Sequence, residues 1–341
     1  MRALILHGAG DLRLDEVPEP HPGPGEIVVE VTAALTCATD AKMMRAGAHP
    51  ALEPLPAPLG HEVAGVVAET GEGVRETRAG DPVVVANSAP CGACADCHDG
   101  RPNLCARITY LTGAFAERLR VPAAIVARNT YRLPAGLGPE VAAFAEPLAC
   151  AVHCAARCGA VAGREVLVLG GGVQGQLLTR LLSGAGARVH LADPHPDRRR
   201  RALRMGAAQV HEAPRDRDGV AALRAGVTDG RGLGLVVEAV GRPETWRIAL
   251  ALVRPGGDVM LHGGCPAGSS VQFPTHPLHY SEIAVRGSYH HTPDAFRIAL
   301  DSLADDATPA RELLRHPVRL DEVPYLLASS PGEKHPVRTR A

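Results

Sequence analysis

The stretch Val166-Leu167-Val168-Leu169-Gly170-Gly171-Gly172-Val173-Gln174-Gly175 constrains this chain more than any other. An apolar run long enough for one buried strand breaks into glycines and resumes as Leu177, Leu178 and Leu181, so a strand must turn tightly into a helix here. Gly170, Gly172 and Gly175 give G-x-G-x-x-G spacing. The first permits the turn, the second removes the side chain that would block a pyrophosphate, and the third lets helix and strand pack closely. The helix start, where Val173 and Gln174 stand, then offers free N–H groups and a positive dipole end to that pyrophosphate. Glycine-rich turns are common in a chain with 37 glycines, so a second signal matters. Arg188 to Asp193 is another strand-like run, and it ends in an acid about 20 residues on, where a ribose 2′-hydroxyl needs an acceptor.

A chain of 341 residues exceeds the size at which one core keeps growing, so two domains are expected. The net charge of −1 gives no electrostatic case for a nucleic-acid or anionic-membrane partner. No apolar run reaches the length of a membrane span, and Met1 to Gly8 reads as a strand and turn without the apolar region of a secretion signal. The cysteine count is nine, and Cys91, Cys94, Cys97 and Cys105 crowd together. That favours metal binding in a reducing compartment, by default the cytoplasm, over a disulfide framework. Basic residues are nearly all Arg, with Lys only at positions 42 and 334, a bias from which no function is drawn.

From Arg2 to Val85 the runs are short and β-like, at Ala3 to Leu6, Gly25 to Val31, Val63 to Ala68 and Val83 to Val85, bounded by prolines and glycines. This portion holds two potential metal-ligand clusters, Cys37-Ala38-Thr39-Asp40 and Gly60-His61-Glu62. The four thiolates that follow sit in a loop with Gly92, Gly100 and Pro102 and can close a tetrahedral shell around one Zn²⁺. Such a shell leaves no open position and reads as structural. Val141 to Cys150 reads as an apolar helix interrupted by Glu146, with a bend there because Pro147 follows. From Ala151 to Ser281 strand and helix alternate, which implies a parallel sheet with right-handed crossovers. Its strands are read at Val166–Leu169, Val189–Ala192, Ala208–His211, Leu235–Glu238, Val259–Leu261 and Ile283–Arg286. A helix is expected from Pro293 to Leu303.

Taken together, these motifs resemble the zinc-dependent medium-chain alcohol and polyol dehydrogenases, in particular the sorbitol and threonine dehydrogenase branch. The residues that carry the resemblance are Cys37 to Asp40, Gly60 to Glu62, the loop from Cys91 to Cys105, Glu146 to Ala149, Gly170 to Gly175 and Asp193. It implies a Rossmann-type doubly wound parallel sheet at 151–286, inserted in a β-rich, GroES-like catalytic domain made from 1–150 and 287–341. It assigns Cys37, His61, Glu62 and Glu146 to a catalytic zinc, with Glu146 bound directly or through water, and it puts Asp40 behind His61. The polyol branch carries Glu146 where simple-alcohol enzymes have a second cysteine ligand. Ala38 departs from the family's usual Gly without removing a ligand. Toward NAD the resemblance adds Arg198, Val240, His262 and Ser288 to Gly170, Gly172, Val173, Gln174, Gly175 and Asp193.

The expected chemistry is reversible transfer of a hydride from a secondary alcohol of a polyol, sugar or cyclitol to NAD, with two Zn²⁺ per chain. Thr39 is the first acceptor of the departing proton, and Lys42 is a candidate to extend the relay. Asp193 favours NAD over NADP, while the arginines from Arg198 to Arg201 offer the opposing case. Tyr110, Phe115, His290 and His291 are candidates for a hydroxyl-reading pocket, the two histidines having a second reading as caps of the helix at Pro293. A homo-oligomer, dimer or tetramer, is expected. The alternatives are a biosynthetic aminocyclitol or ketone reductase of the same fold, and a non-catalytic NAD- or zinc-binding protein.

Overall fold

The computed structural model describes residues 1–49, 51–52 and 54–340. The chain forms two compact units, one built from Met1–Ala149 together with the segment from His291 onward, the other from Cys150–His290.

The first unit is built on β1 (Ile27–Leu35), whose run of valines and alanines is almost wholly buried. Stiff β-branched side chains suit a pleated surface packed on both faces. It pairs antiparallel with β2 (Val63–Thr70), and β2 pairs with β3 (Pro82–Val85). On its other flank β1 takes Arg118–Val121 and, from the far end of the chain, Pro336–Arg338. The carboxyl-terminal segment therefore completes a sheet begun by the first third of the sequence. Ile27, Val29, Val31, Val63, Val67, Val83, Val85 and Phe115 share its core. Between β1 and β2 runs α1 (Ala38–Ala46), which stops at Gly47 in a left-handed conformation.

The helix expected across Glu146 is broken earlier. A short helix, Pro139–Ala143, ends at Phe144, and α2 (Ala145–Arg157) starts at the next residue. Pro147 thus falls in the first turn of α2, where its missing N–H has no intrahelical partner to lose, and Glu146 keeps helical geometry.

The second unit has a six-stranded parallel sheet. In chain order its strands are β4 (Glu165–Leu169), β5 (Arg188–Ala192), β6 (Gln209–His211), β7 (Leu233–Glu238), β8 (Val253–Leu261) and β9 (Ala284–Gly287). In space they run β6-β5-β4-β7-β8-β9. The chain starts in the middle, moves to one edge and returns to build the other half, which makes β4 and β7 the topological switch point. Helices α3 (Val173–Gly184) and α4 (Pro196–Arg204) follow β4 and β5. The central strands β4 and β7 are near-continuous apolar runs of Val and Leu because both faces are covered. The expected fold class, a doubly wound parallel sheet with a β-rich partner domain, is the one observed. No helix among the described residues is long and apolar enough to cross a membrane.

Candidate active site

In the first unit the register of β1 against β2 sets Ala34 opposite Val63, which brings the segments just beyond these residues side by side. One segment carries Cys37 at the start of α1 and the other carries His61 and Glu62. The ligating atoms of these three residues lie within 4.8 Å of one another. Asp40, one turn into α1 and fully buried, accepts a hydrogen bond from His61 Nδ1 at 2.8 Å. That bond fixes the ring and turns Nε2 toward Cys37 and Glu62.

A cation completes the cluster. Lys334, in the segment leading into Pro336–Arg338, is buried with its Nζ ion-paired to Glu62 Oε1. Burial alone would lower the Lys334 ammonium, but the charges of Cys37 and Glu62 hold it up. Burial likewise raises the Cys37 thiol, and the charge of Lys334 with a hydrogen bond to His61 outweighs this and sets it at about 5. Cys37 is therefore poised as a thiolate, the form that binds metal. Burial pushes the His61 imidazole down, and the charges and hydrogen bonds of Asp40 and Cys37 together outweigh it and hold it well above its ordinary value.

Glu146, in the first turn of α2, accepts a hydrogen bond from Asn87 Nδ2 at 2.9 Å, and burial raises its carboxyl. The Oδ1 of Asn87 accepts in turn from His291 Nε2 at 2.9 Å. His291 is therefore committed to Asn87, and the cap of the helix Pro293–Asp305 is Thr292, which accepts from the Ala295 N–H. The capping reading of the two histidines fails because the hydroxyl beside them does that task. Phe115 is fully buried in the β core. Tyr110 is half-buried on a two-residue strand paired with Ser88–Ala89. Thr39 is half-buried in the first turn of α1, and Lys42 is exposed on the next turn.

The donor set suits zinc: a thiolate, an imidazole oriented by a carboxylate, and further carboxylates nearby. One buried oxygen of the cluster, Glu62 Oε2, has no hydrogen-bond partner, as expected where a cation is to be held.

The second cluster is Cys91, Cys94, Cys97 and Cys105, whose sulfurs also lie within 4.8 Å of one another. Backbone N–H groups point at them, Cys91 N at 3.2 Å and Arg107 N at 3.3 Å from Cys105 Sγ. All nine cysteines are free thiols. Four thiolates with backbone donors around them match a closed structural zinc site.

In the second unit the cofactor candidates collect at one edge. Gly170, Asp193, Val240, His262 and Ser288 each follow the carboxyl end of a parallel strand, where open α/β sheets bind ligands. The glycines divide the work. A Cβ at Gly175 would stand 1.8 Å from the Gly170 carbonyl oxygen, so only glycine lets α3 approach β4. A Cβ at Gly172, at the start of α3, would meet nothing within 4 Å and would occupy open space above the helix end. Asp193 accepts from Gly171 N at 2.7 Å and from His195 N at 2.8 Å, and Arg198 stands 3.6 Å away. The open space at Gly172, the exposed helix end and this fixed carboxylate fit a dinucleotide.

Comparison with known proteins gives the same picture. The family description "Alcohol dehydrogenase GroES-like domain" matches residues 23–134, and "Zinc-binding dehydrogenase" matches residues 174–305. An L-threonine 3-dehydrogenase of Thermococcus kodakarensis is 35% identical over 80% of this chain and 77% of its own length. The chain belongs to the zinc-dependent medium-chain alcohol dehydrogenases. Among further members of this dehydrogenase family, a sorbitol dehydrogenase of Bacillus subtilis is 27% identical over 94% of this chain and 91% of its own. A zinc-binding dehydrogenase of Sinorhizobium meliloti 1021, solved bound to NADP, is 32% identical with a TM-score of 0.86, covering 99% of this chain and 98% of that one. The alcohol dehydrogenase of Thermus sp. ATN1 is 30% identical with a TM-score of 0.86 and full coverage of both chains.

Three residues of this dehydrogenase escape a reading of its motifs. Lys334 and Asn87 belong to no local pattern, and Glu238, which closes the turn after β7 by accepting from the Val240 and Gly241 N–H groups, reads as the end of a strand. A signal for Lys334 existed: it is one of two lysines in a chain whose basic residues are otherwise arginine.

Proposed function

We propose that this enzyme reversibly oxidises a secondary alcohol that carries a neighbouring polar substituent, in a polyol, sugar or cyclitol, with NAD as the acceptor. The observation that carries the reading is the trio of half-buried Cys37 with buried His61 and Glu62, and its orphaned carboxylate oxygen. Zn²⁺ held by Cys37, His61 and a carboxylate, Glu62 or Glu146, supplies Lewis acidity, and NAD supplies the hydride acceptor. Asp40 orients His61, Asn87 orients Glu146, and Lys334 balances the negative charge of Cys37 and Glu62. Thr39, two residues beyond Cys37, relays the hydroxyl proton, accepting it while passing its own toward the cofactor ribose or water. The four thiolates from Cys91 to Cys105 hold the second zinc.

Relatives support the substrate class: besides the threonine and sorbitol enzymes, an L-galactonate-5-dehydrogenase of Escherichia coli is 30% identical. For the cofactor, the Asp193 carboxylate is held by two backbone N–H groups where it would accept from a ribose diol and repel a 2′-phosphate. Arg198 beside it opposes this only in part. We further propose a cytoplasmic homo-oligomer, supported by the open outer edge of β9 and by the set of free thiols.

Turnover of ethanol, 2-butanol, L-threonine, sorbitol, xylitol and inositol with NAD and with NADP tests the reading. The polyols should lead, with L-threonine behind them, NAD ahead of NADP in kcat/KM and Asp193→Ala narrowing that gap. Ethanol or 2-butanol outrunning the rest would sink the substrate class and leave the zinc chemistry standing.

A further inference from the structure

His262 follows β8 and reaches across to the first turn of α3, where its Nε2 lies 3.0 Å from Oε1 of Gln174. An amide oxygen can only accept, so the ring proton sits on Nε2 and Nδ1 is left as a bare acceptor. That Nδ1 is buried and meets no donor in the unit. A buried acceptor left without a partner is costly, so its retention calls for a donor from elsewhere. Position says which donor. A doubly wound sheet takes one nucleoside on each half, and Asp193, at the end of β5, marks the β4–β6 half as the adenosine side. His262 lies on the β7–β9 half.

We infer that His262 Nδ1 accepts a hydrogen bond from the nicotinamide nucleoside of bound NAD, from its ribose O–H or its carboxamide N–H, and that Gln174 fixes the tautomer that makes this possible. The inference rests on the cofactor reading above. It is electrostatically consistent: burial, with His153 nearby, holds the imidazole down at about 4, so it stays neutral beside an oxidised nicotinamide ring that is itself cationic. Gln174 thereby acquires a task besides helix formation, since it ties the glycine-rich turn to the end of β8.

Two substitutions separate the roles of the ring nitrogens. His262→Gln keeps a donor where Nε2 stands and drops the acceptor, whereas His262→Asn keeps an acceptor where Nδ1 stands and drops the donor to Gln174. Fluorescence titration with NADH, and calorimetric titration with ADP and ADP-ribose, read binding without turnover. His262→Gln should weaken NADH by roughly three- to tenfold, His262→Asn by less, and ADP should bind all three proteins alike. A parallel loss with ADP-ribose identifies the ribose hydroxyl as donor, and a loss confined to NADH identifies the carboxamide. Unchanged NADH affinity in His262→Gln overturns the inference while leaving the cofactor reading intact. A matching loss of ADP affinity also overturns it, because His262 would then only brace the turn. Failure of the unsubstituted protein to bind either ADP or NADH would instead bring down the cofactor reading, and this inference with it.

Discussion

The most consequential single residue outside the motifs is Lys334. Its ammonium is buried against Glu62, with Cys37 and Glu146 close enough to hold its charge. Removing one member of a buried pair strands the other, which typically costs about 3–5 kcal/mol. Lys334→Met should therefore lower stability by roughly that amount in urea denaturation, and adding Glu62→Gln should restore much of it. A loss below about 1 kcal/mol would mean that Glu62 does not depend on this cation. Asp40 acts differently, through the orientation of His61. Asp40→Asn keeps the size of the side chain but weakens the acceptor, so zinc affinity in a chelator competition should fall by about 10- to 100-fold with little change in melting temperature. Equal zinc retention by variant and parent would remove Asp40 from the metal site.

At the scale of elements, the turn from β4 into α3 makes opposite demands on two of its glycines. Gly175→Ala pushes a methyl into the Gly170 carbonyl and should give unfolded or insoluble protein. Gly172→Ala meets open space and should fold normally while NADH binding weakens, since the methyl occupies room left for the pyrophosphate. Normal NADH affinity in that variant would place the cofactor elsewhere. The β8 end carries a pH signature. His262 titrates at about 4 when folded against 6.5 unexposed to burial, so the unfolded chain binds more protons between those values. The stability it contributes is complete above pH 6.5 and is lost as pH falls toward 4, up to a limit of about 3 kcal/mol. In thermal melts from pH 7.5 to 4.5, His262→Asn should show a shallower acid slope; His153 and His211, also pushed down by burial, keep it from being flat. The segment from Cys91 to Cys105 holds only a four-residue helix and a three-residue 3₁₀ turn, too little to order itself. Cys105→Ser should lose one zinc equivalent and make this loop the first point of proteolysis.

For the whole molecule, the two metal clusters differ in kind, one closed by four thiolates and one mixed and open to a further ligand. Elemental analysis should find two zinc ions per chain, with mild chelation removing one of them together with activity. Active enzyme with a single zinc would refute the two-site reading. The two units also differ in how their cores arise. The Cys150–His290 unit is assembled from consecutive strand and helix segments, so its topology follows the order of the sequence. The first unit needs the segment from His291 onward to flank β1, and Lys334 arrives at Glu62 only by that route.

This contrast explains what could be read from residues alone. The strand, turn and helix around Gly170 to Gly175, the acid at Asp193 and the four-cysteine loop were legible because each is set by local spacing, and hydrophobic period and glycine placement act over a few residues. Cys37, His61 and Glu62 were legible as clusters, but their meeting depends on the β1–β2 register, a long-range fact. The break at Phe144, the Asn87 link from His291 to Glu146, the burial of Phe115 and the Lys334 cation were decided by tertiary structure alone. Each depends on which side chains a folded core excludes from water, and burial is what makes an unpaired charge or amide costly enough to select its partner.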